Sequence, residues 1–338
     1  MFFKVLAFCV LPLTTKKFKY MAEEIIEAIE RYGLSKRNRK RTLFSRIGVV
    51  GCGKEGSVIA TTAALNGMEV VFLEPNDEGI ANAFSRIEEK LDKKIQNWGL
   101  TENEKKAIMG RINGTTSFDD FSGCDFVIEA IRYHDQTGER RILQRKDVFK
   151  ELERVLSTNA IIASNVSTVI VTDLASELLH TERCIGLHFL SNVPDSQIIE
   201  IVPGLNTSKE TFDKVCQFAR LINHQYVSVV ESAGLVSIRL FLIQLNEACQ
   251  ILMEGISTVE DIDRVLTVGF GYRQGVFRTA DQMGIEKIVR LLENLWDEYG
   301  SMKYKPSPIL LRLFRAKHFG ISSKKGFYTY DDFGNIVK

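Results

Sequence analysis

Short apolar runs alternate with longer stretches of helical spacing along the chain between Ile47 and Val202. The runs are rich in β-branched and aromatic residues, which is typical of strands buried on both faces. Alternation of strands and helices predicts an α/β fold with a doubly wound, largely parallel sheet. The predicted strands cover residues 47–50, 70–73, 111–116, 124–130, 160–165, 184–189, 198–202 and 225–230.

The spacing of apolar residues is helical at several places between these strands and throughout the last third of the chain. The helices predicted among the strands cover residues 77–98, 102–109, 139–156 and 208–222, with one more that follows Thr168 and ends near residue 179. Beyond Ser232 there is little strand signal, and five or so helices are expected. We therefore predict an N-terminal extension (residues 1–45), a nucleotide-binding domain (46–231) and an all-helical C-terminal domain (232–338).

The first predicted strand runs directly into the glycine-rich sequence GCGKEG at residues 51–56. In such a turn Gly51 permits a tight bend, Gly53 lets backbone amides approach a pyrophosphate, and Gly56 lets the following helix pack closely. The second strand ends in Glu74, 18 residues beyond Gly56, where a carboxylate can bind a ribose 2′-hydroxyl and repels a 2′-phosphate. This Rossmann-type pattern predicts NAD as the cofactor. A glycine turn without a ligand, or a site for FAD or a nucleotide-diphosphate sugar, are the alternatives.

Composition places the chain among globular proteins, with 45% hydrophobic and 26% charged residues and a net charge of +1. That charge gives no reason to expect nucleic acid or a membrane as a partner, and the basic run at residues 36–41 is interpreted as a solvated linker. The apolar run at residues 2–13 is too short to span a bilayer. The six cysteines are scattered, which favours reduced thiols in the cytoplasm over disulfides or a metal site.

Two polar residues lie within predicted buried strands near the carboxyl edge of the sheet, where ligands bind in this fold. His188 and Glu200 are 12 residues apart across a strand–turn–strand unit, so they can meet on neighbouring strands. A buried carboxylate is costly unless it is paired, and beside an imidazole it fixes the tautomer of that ring. The pair could serve as the general base for oxidation of an alcohol, or it could be purely structural.

The sequence resembles the short-chain 3-hydroxyacyl-CoA dehydrogenases over residues 46–330. The resemblance rests on a set of motifs that occur in the same order. These motifs are IGVVGCGKEGSVIA, VIEAI, ASNVSTV, IGLHFL, IIEIVPGL, SAGLVSIRL, LNEACQILMEG, GFGYRQGVFRTADQMG, YKPSPILLRL and KKGFYTYD.

The resemblance implies a Rossmann domain followed by a helical domain that forms a homodimer. It also implies reversible oxidation of an (S)-3-hydroxyacyl-CoA to the 3-oxoacyl-CoA with NAD. His188 matches the catalytic base and Glu200 its acidic partner. Ser167 matches a residue that contacts the substrate, and the neighbouring Asn165 is assigned to the cofactor. For Ser167 and Asn165, ordinary turn chemistry is the alternative.

The chain departs from the family pattern around the acyl group. Ser191 stands where the family has an asparagine, so Ser191 and Asn192 are the candidates for substrate binding. At the start of the first C-terminal helix, Ile238 replaces another asparagine. After VIEAI the usual acidic residue is missing, and Glu139 or Arg145 could supply a polar group there.

The function predicted from these observations is interconversion of 3-hydroxybutyryl-CoA and acetoacetyl-CoA with NAD, in a cytoplasmic homodimer. Two alternatives stay open. The substrate could be a hydroxy acid without CoA, because the altered positions are those that hold the acyl group. The chain could also be an NAD-binding protein with little catalysis.

Overall fold

The computed structural model describes residues 44–131, 141–190 and 196–337. Eight strands of this part form one sheet. They are β1 (Arg46–Val50), β2 (Glu69–Leu73), β3 (Ile112–Thr115), β4 (Phe126–Glu129), β5 (Ile161–Ser164), β6 (Cys184–Phe189), β7 (Ile198–Pro203) and β8 (Gln225–Ser228).

The strand order is β3-β2-β1-β4-β5-β6-β7-β8, and the first six strands are parallel. Strand β7 returns antiparallel to β6, and β8 is parallel to β7. The direction in which the strand order grows reverses between β1 and β4, which is where nucleotides bind in doubly wound sheets.

Helices cover both faces of this sheet, and alternate residues of each strand pack against opposite layers. Phe126 and Ile128 of β4 belong to one core cluster, whereas Val127 belongs to the other. This explains why the strands are continuous apolar runs. The predicted doubly wound α/β fold is confirmed. The helices of this domain are α1 (Lys54–Leu65), α2 (Asp77–Gln96), α3 (Glu102–Met109), α4 (Ile142–Val155), α5 (Val171–Leu174) and α6 (Lys209–Leu221).

Helix α5 is much shorter than predicted, since it ends at Leu174 and not near residue 179. The amides of Leu179 and His180 donate to the carboxylate of Glu153 on α4, at 3.0 and 2.9 Å, instead of continuing a helical ladder. The hydroxyl of Ser176 also donates to a backbone oxygen within this segment. The prediction was wrong because the acceptor for these amides comes from another element.

The C-terminal part is helical, as predicted, and has its own core cluster. A buried aspartate, Asp263, accepts hydrogen bonds from the amides of Phe277 and Arg278, 2.9 and 3.1 Å away. It thereby satisfies the first amides of the helix Val276–Met283, whose N-cap is a glycine. None of the helices among the described residues is long and apolar enough to cross a membrane. The α-helices are α7 (Ser237–Met253), α8 (Val259–Arg264), α9 (Val276–Met283), α10 (Ile285–Tyr299) and α11 (Pro308–Arg315).

Candidate active site

The glycine turn lies at the carboxyl end of β1 and leads into α1. Gly51 has φ +88°, and its amide donates to Leu73 O at 2.9 Å. A Cβ added at Gly56 would lie 1.9 Å from Gly51 O, and one at Gly51 would lie 3.1 Å from Ala130 O. Only glycine fits at both positions. Gly53 at the N-cap of α1 has no side chain to cover the first amides of the helix. The glycine turn and these amides therefore fit a dinucleotide pyrophosphate.

Glu74 follows the last residue of β2, beside this turn. Its Oε1 atom accepts a hydrogen bond from the amide of Cys52, 2.6 Å away. The carboxylate therefore braces the glycine turn in addition to facing the region where a ribose would lie. An acid in this position can accept hydrogen bonds from ribose hydroxyls and repels a 2′-phosphate.

His188 and Glu200 are directly opposite each other on the antiparallel strands β6 and β7. The His188 Nδ1 atom lies 2.8 Å from Glu200 Oε2, and both residues are buried. Because an ionised carboxylate only accepts hydrogen bonds, Nδ1 carries the proton and Nε2 has a free lone pair. The pair can therefore accept a proton at Nε2.

The first turn of α7 supplies further donors to the same carboxylate. Glu200 Oε1 accepts from the amides of Val236 and Ser237, at 3.0 and 2.9 Å, and Oε2 accepts from Ser237 Oγ at 2.6 Å. Burial raises the pKa of Glu200, but the hydrogen bonds from His188 and Ser237 outweigh it and hold the pKa below its usual value. Glu200 is therefore charged at neutral pH. Sequence reasoning missed Ser237, although the SAGLVSIRL motif marked this helix start.

The loop after β5 lies beside the same pair. Asn165 Oδ1 accepts a hydrogen bond from the amide of Phe189 at 2.9 Å, which ties this loop to the residue after His188. Ser167 is buried, and its backbone oxygen accepts from Gly234 N at 2.6 Å. The structure thus brings Asn165, Ser167 and the histidine pair to one end of the sheet.

The sequence analysis also singled out Ser191, Asn192, Glu139 and Ile238 around the substrate. Ser191 and Asn192 lie outside the described residues, as does Glu139. Ile238 is 7% exposed and belongs to the core cluster of the helical domain. An apolar side chain at that position therefore contributes to packing, whereas an asparagine would have offered a polar group.

A buried ion pair lies at the ends of β4 and β5, and the sequence analysis named only one of its two residues. Arg145 of α4 is paired with Glu129, and both side chains are at most 2% exposed. Glu129 also accepts from Ser164 Oγ and from Ile131 N, each at 2.6 Å, and Arg145 donates to Ile131 O. The sequence identified Arg145 as a polar candidate but missed Glu129, although an acid within a predicted apolar strand was the signal used for Glu200.

Two models of known protein families match this chain. The model of the 3-hydroxyacyl-CoA dehydrogenase NAD-binding domain matches residues 46–232, and that of the 3-hydroxyacyl-CoA dehydrogenase C-terminal domain matches residues 234–330. The chain belongs to the 3-hydroxyacyl-CoA dehydrogenase family. The resemblance seen in the sequence is confirmed, and so is NAD as the cofactor of the first domain.

Individual relatives are similar over most of their length. The chain is 30% identical over 286 residues to the 3-hydroxybutyryl-CoA dehydrogenase of Clostridioides difficile, which covers 85% of this chain and 99% of the relative. Among solved structures, FadB2 of Mycobacterium tuberculosis superposes with a TM-score of 0.79 at 31% identity, covering 85% of this chain and 99% of that one. The (S)-3-hydroxybutyryl-CoA dehydrogenase of Ralstonia eutropha gives 0.76 at 30% identity, covering 86% and 100%.

Proposed function

We propose that this member of the 3-hydroxyacyl-CoA dehydrogenase family interconverts a short-chain (S)-3-hydroxyacyl-CoA and its 3-oxoacyl-CoA with NAD. The observation that carries the proposal is the buried His188–Glu200 pair at the end of the sheet that bears the glycine turn. 3-Hydroxybutyryl-CoA and acetoacetyl-CoA are the first substrates to consider, because they fit the names of the relatives that are about 30% identical.

In the oxidative direction, His188 Nε2 accepts the proton of the 3-hydroxyl group as hydride leaves C3. Bound NAD supplies the hydride acceptor. Glu200 keeps the proton of the imidazole on Nδ1 and stabilises the imidazolium that forms. Ser167 orients the reacting oxygen, while Glu74 binds the ribose and Asn165 contacts the cofactor. Ser191 and Asn192 keep their assignment to the substrate as part of this proposal.

The experiment that tests the proposal follows NADH consumption with acetoacetyl-CoA in the wild type and in His188→Ala. We expect turnover in the wild type and a loss of about 10²-fold or more in the variant, the scale of general acid–base catalysis. NADH binding, measured by fluorescence, is the control and should not change. No turnover in either protein with NADH bound would overturn the substrate assignment. Acetoacetate without CoA, run in parallel, tests the CoA-free alternative.

A homodimer through the C-terminal domain is part of the same proposal. Helix α7 exposes Leu240, which is 66% exposed, and the segment after α8 exposes Val268 and Phe270 at 79% and 72%. A hydrogen bond between Gln244 and Tyr272 joins these two elements. Exposed apolar groups clustered in this way are typical of protein interfaces.

Light scattering coupled to size exclusion tests this face. The wild type should have twice the mass of the chain, and Phe270→Glu should reduce the mass towards that of one chain. Leu205→Glu changes a residue of the first domain that is also largely exposed, and it should leave the dimer intact. A Phe270→Glu variant that remains dimeric would reject this face.

A cytoplasmic location is also proposed. Five cysteines of the described residues are buried free thiols, which suits a reducing compartment. Fractionation of cells that express the tagged chain tests this: recovery in a compartment other than the cytoplasm would overturn it.

A further inference from the structure

The two residues between the second and third glycines of the turn are charged, and both reach the helical domain. Lys54 Nζ donates to Gln282 O at 3.0 Å, and Glu55 Oε1 lies 2.9 Å from Lys287 Nζ. Lys54 and Glu55 are the first residues of α1, and Lys287 lies in the first turn of α10. These contacts span 228 and 232 residues of sequence.

Both contacts converge on the turn between α9 and α10. This turn contains Gly284 with φ +100°, a conformation that favours glycine. The Glu55 and Lys287 side chains are 18% and 30% exposed, which limits screening by solvent. Burial raises the pKa of Glu55, but the ammonium of Lys287, together with smaller contributions from His188 and Lys54, lowers the pKa overall. Glu55 is therefore ionised at neutral pH and lies within electrostatic reach of His188.

The helical domain thus makes polar contacts with the nucleotide domain through three of the elements described. The first turn of α7 donates to Glu200. Gln282 of α9 accepts from Lys54, and the start of α10 binds Glu55. The pairing with Lys287 also neutralises an acid at the helix end that faces the pyrophosphate of NAD, where an uncompensated negative charge would repel that ligand.

We propose that Glu55 and Lys287 are positioning residues whose ion pair holds the helical domain against the glycine turn, and thereby sets the distance between substrate and nicotinamide. This role rests on the proposed dehydrogenase function. Misplacement of reacting groups by a fraction of an ångström lowers kcat because the reactants no longer meet in a reactive geometry. Glu55 and Lys287 affect catalysis through the placement of other groups, without proton transfer of their own.

Three variants test the proposal: Glu55→Gln, Lys287→Met and the charge exchange Glu55→Lys/Lys287→Glu. Each single substitution should lower kcat about three- to tenfold. Their effects on NADH affinity should have opposite signs. Glu55→Gln removes a negative charge near the pyrophosphate and should tighten binding, whereas Lys287→Met leaves Glu55 without Lys287 and should weaken it. The exchange variant should recover most of the wild-type kcat.

A matched control is Lys209→Met, which removes an exposed ion pair with Asp213 on α6 and should leave kcat and NADH affinity unchanged. Single variants with kcat within twofold of the wild type would overturn the proposal. So would an exchange variant whose loss equals the product of the two single losses, because uncoupled residues behave in this way. The NADH-binding arm needs no turnover, so the pair is still tested if acetoacetyl-CoA is not the substrate. Equal NADH affinity in all variants would then reject it.

Discussion

Replacement of Glu200 by glutamine exchanges one carboxylate oxygen of the proposed His188–Glu200 proton-transfer pair for an NH₂ group. The shape of the side chain is kept. The carboxylate accepts hydrogen bonds on Oε2 from His188 Nδ1 and Ser237 Oγ, and on Oε1 from the amides of Val236 and Ser237. A glutamine side chain has a single accepting oxygen. Its NH₂ group must therefore face either the imidazole or the start of α7.

The two orientations differ in cost. An NH₂ group that faces α7 would leave the amides of Val236 and Ser237 without an acceptor, at about 1–3 kcal/mol for each buried donor. An NH₂ group that faces the ring can donate a hydrogen bond to Nδ1 if the imidazole carries its proton on Nε2 instead. The Ser237 hydroxyl can rotate so that its oxygen accepts from the same NH₂ group. The second orientation is favoured. It leaves His188 with a proton on the nitrogen that should accept one from the substrate.

We therefore expect Glu200→Gln to lower kcat for oxidation of (S)-3-hydroxybutyryl-CoA by about 10²- to 10⁴-fold, the range for loss of a general base. Stopped-flow measurement of NADH formation under saturating substrate gives kcat, and NADH titration checks that the cofactor site is intact. Ser237→Ala is the matched control. It removes one donor but keeps the charge and the tautomer, so the expected loss is about tenfold at most.

A Glu200→Gln variant with kcat within about threefold of the wild type and normal NADH binding would refute the reasoning, because Nε2 could not then be the essential proton acceptor. Nitrogen NMR of labelled histidine gives an independent check on the tautomer. In the wild type the proton should be on Nδ1 of His188, and in the variant on Nε2.

Further predictions concern the glycine turn, the buried ion pair and pH. Gly56→Ala should abolish NADH binding in calorimetry, because the new Cβ would lie 1.9 Å from Gly51 O. Arg145→Met should reduce the free energy of unfolding in urea by about 3–5 kcal/mol, since the buried Glu129 side chain would lose its cationic partner, whereas Arg145→Lys should lose less. The lowered pKa of Glu200 means that its ionised form stabilises the fold. This contribution is complete above the usual glutamate pKa of about 4.3 and is lost as pH falls through the lower folded value, so thermal unfolding of Glu200→Gln should depend less on pH there than that of the wild type.

Features encoded over short distances could be predicted from the sequence. The glycine turn, the acid at the end of the second strand and the alternation of strands and helices each depend on neighbouring residues. The pairing of His188 with Glu200 was accessible because a strand–turn–strand unit is local and both polar residues interrupt apolar runs. Glu129 carries the same signal, so its burial could have been predicted, although not its cation.

Contacts between distant parts of the chain could not be predicted in this way. Glu55 appears in the sequence as an ordinary polar residue within the glycine turn, and its partner Lys287 lies 232 residues later. The early end of α5 has the same origin, because Glu153 on another helix accepts hydrogen bonds from the amides that helical spacing would have used. Periodicity reports which residues favour a helix, whereas the competing acceptor is defined by the tertiary structure.

In the proposed mechanism, Glu200 connects proton transfer with the packing of the two domains. Its carboxylate orients His188 and also satisfies the first amides of α7, which otherwise have no acceptor within their helix. Burial of this acid is tolerated because the imidazole and α7 donate to it together, so neither group can be displaced without cost to the other. In the proposed mechanism, the donors of α7 therefore hold the carboxylate that orients the imidazole, which gives the helical domain a chemical role in addition to its packing.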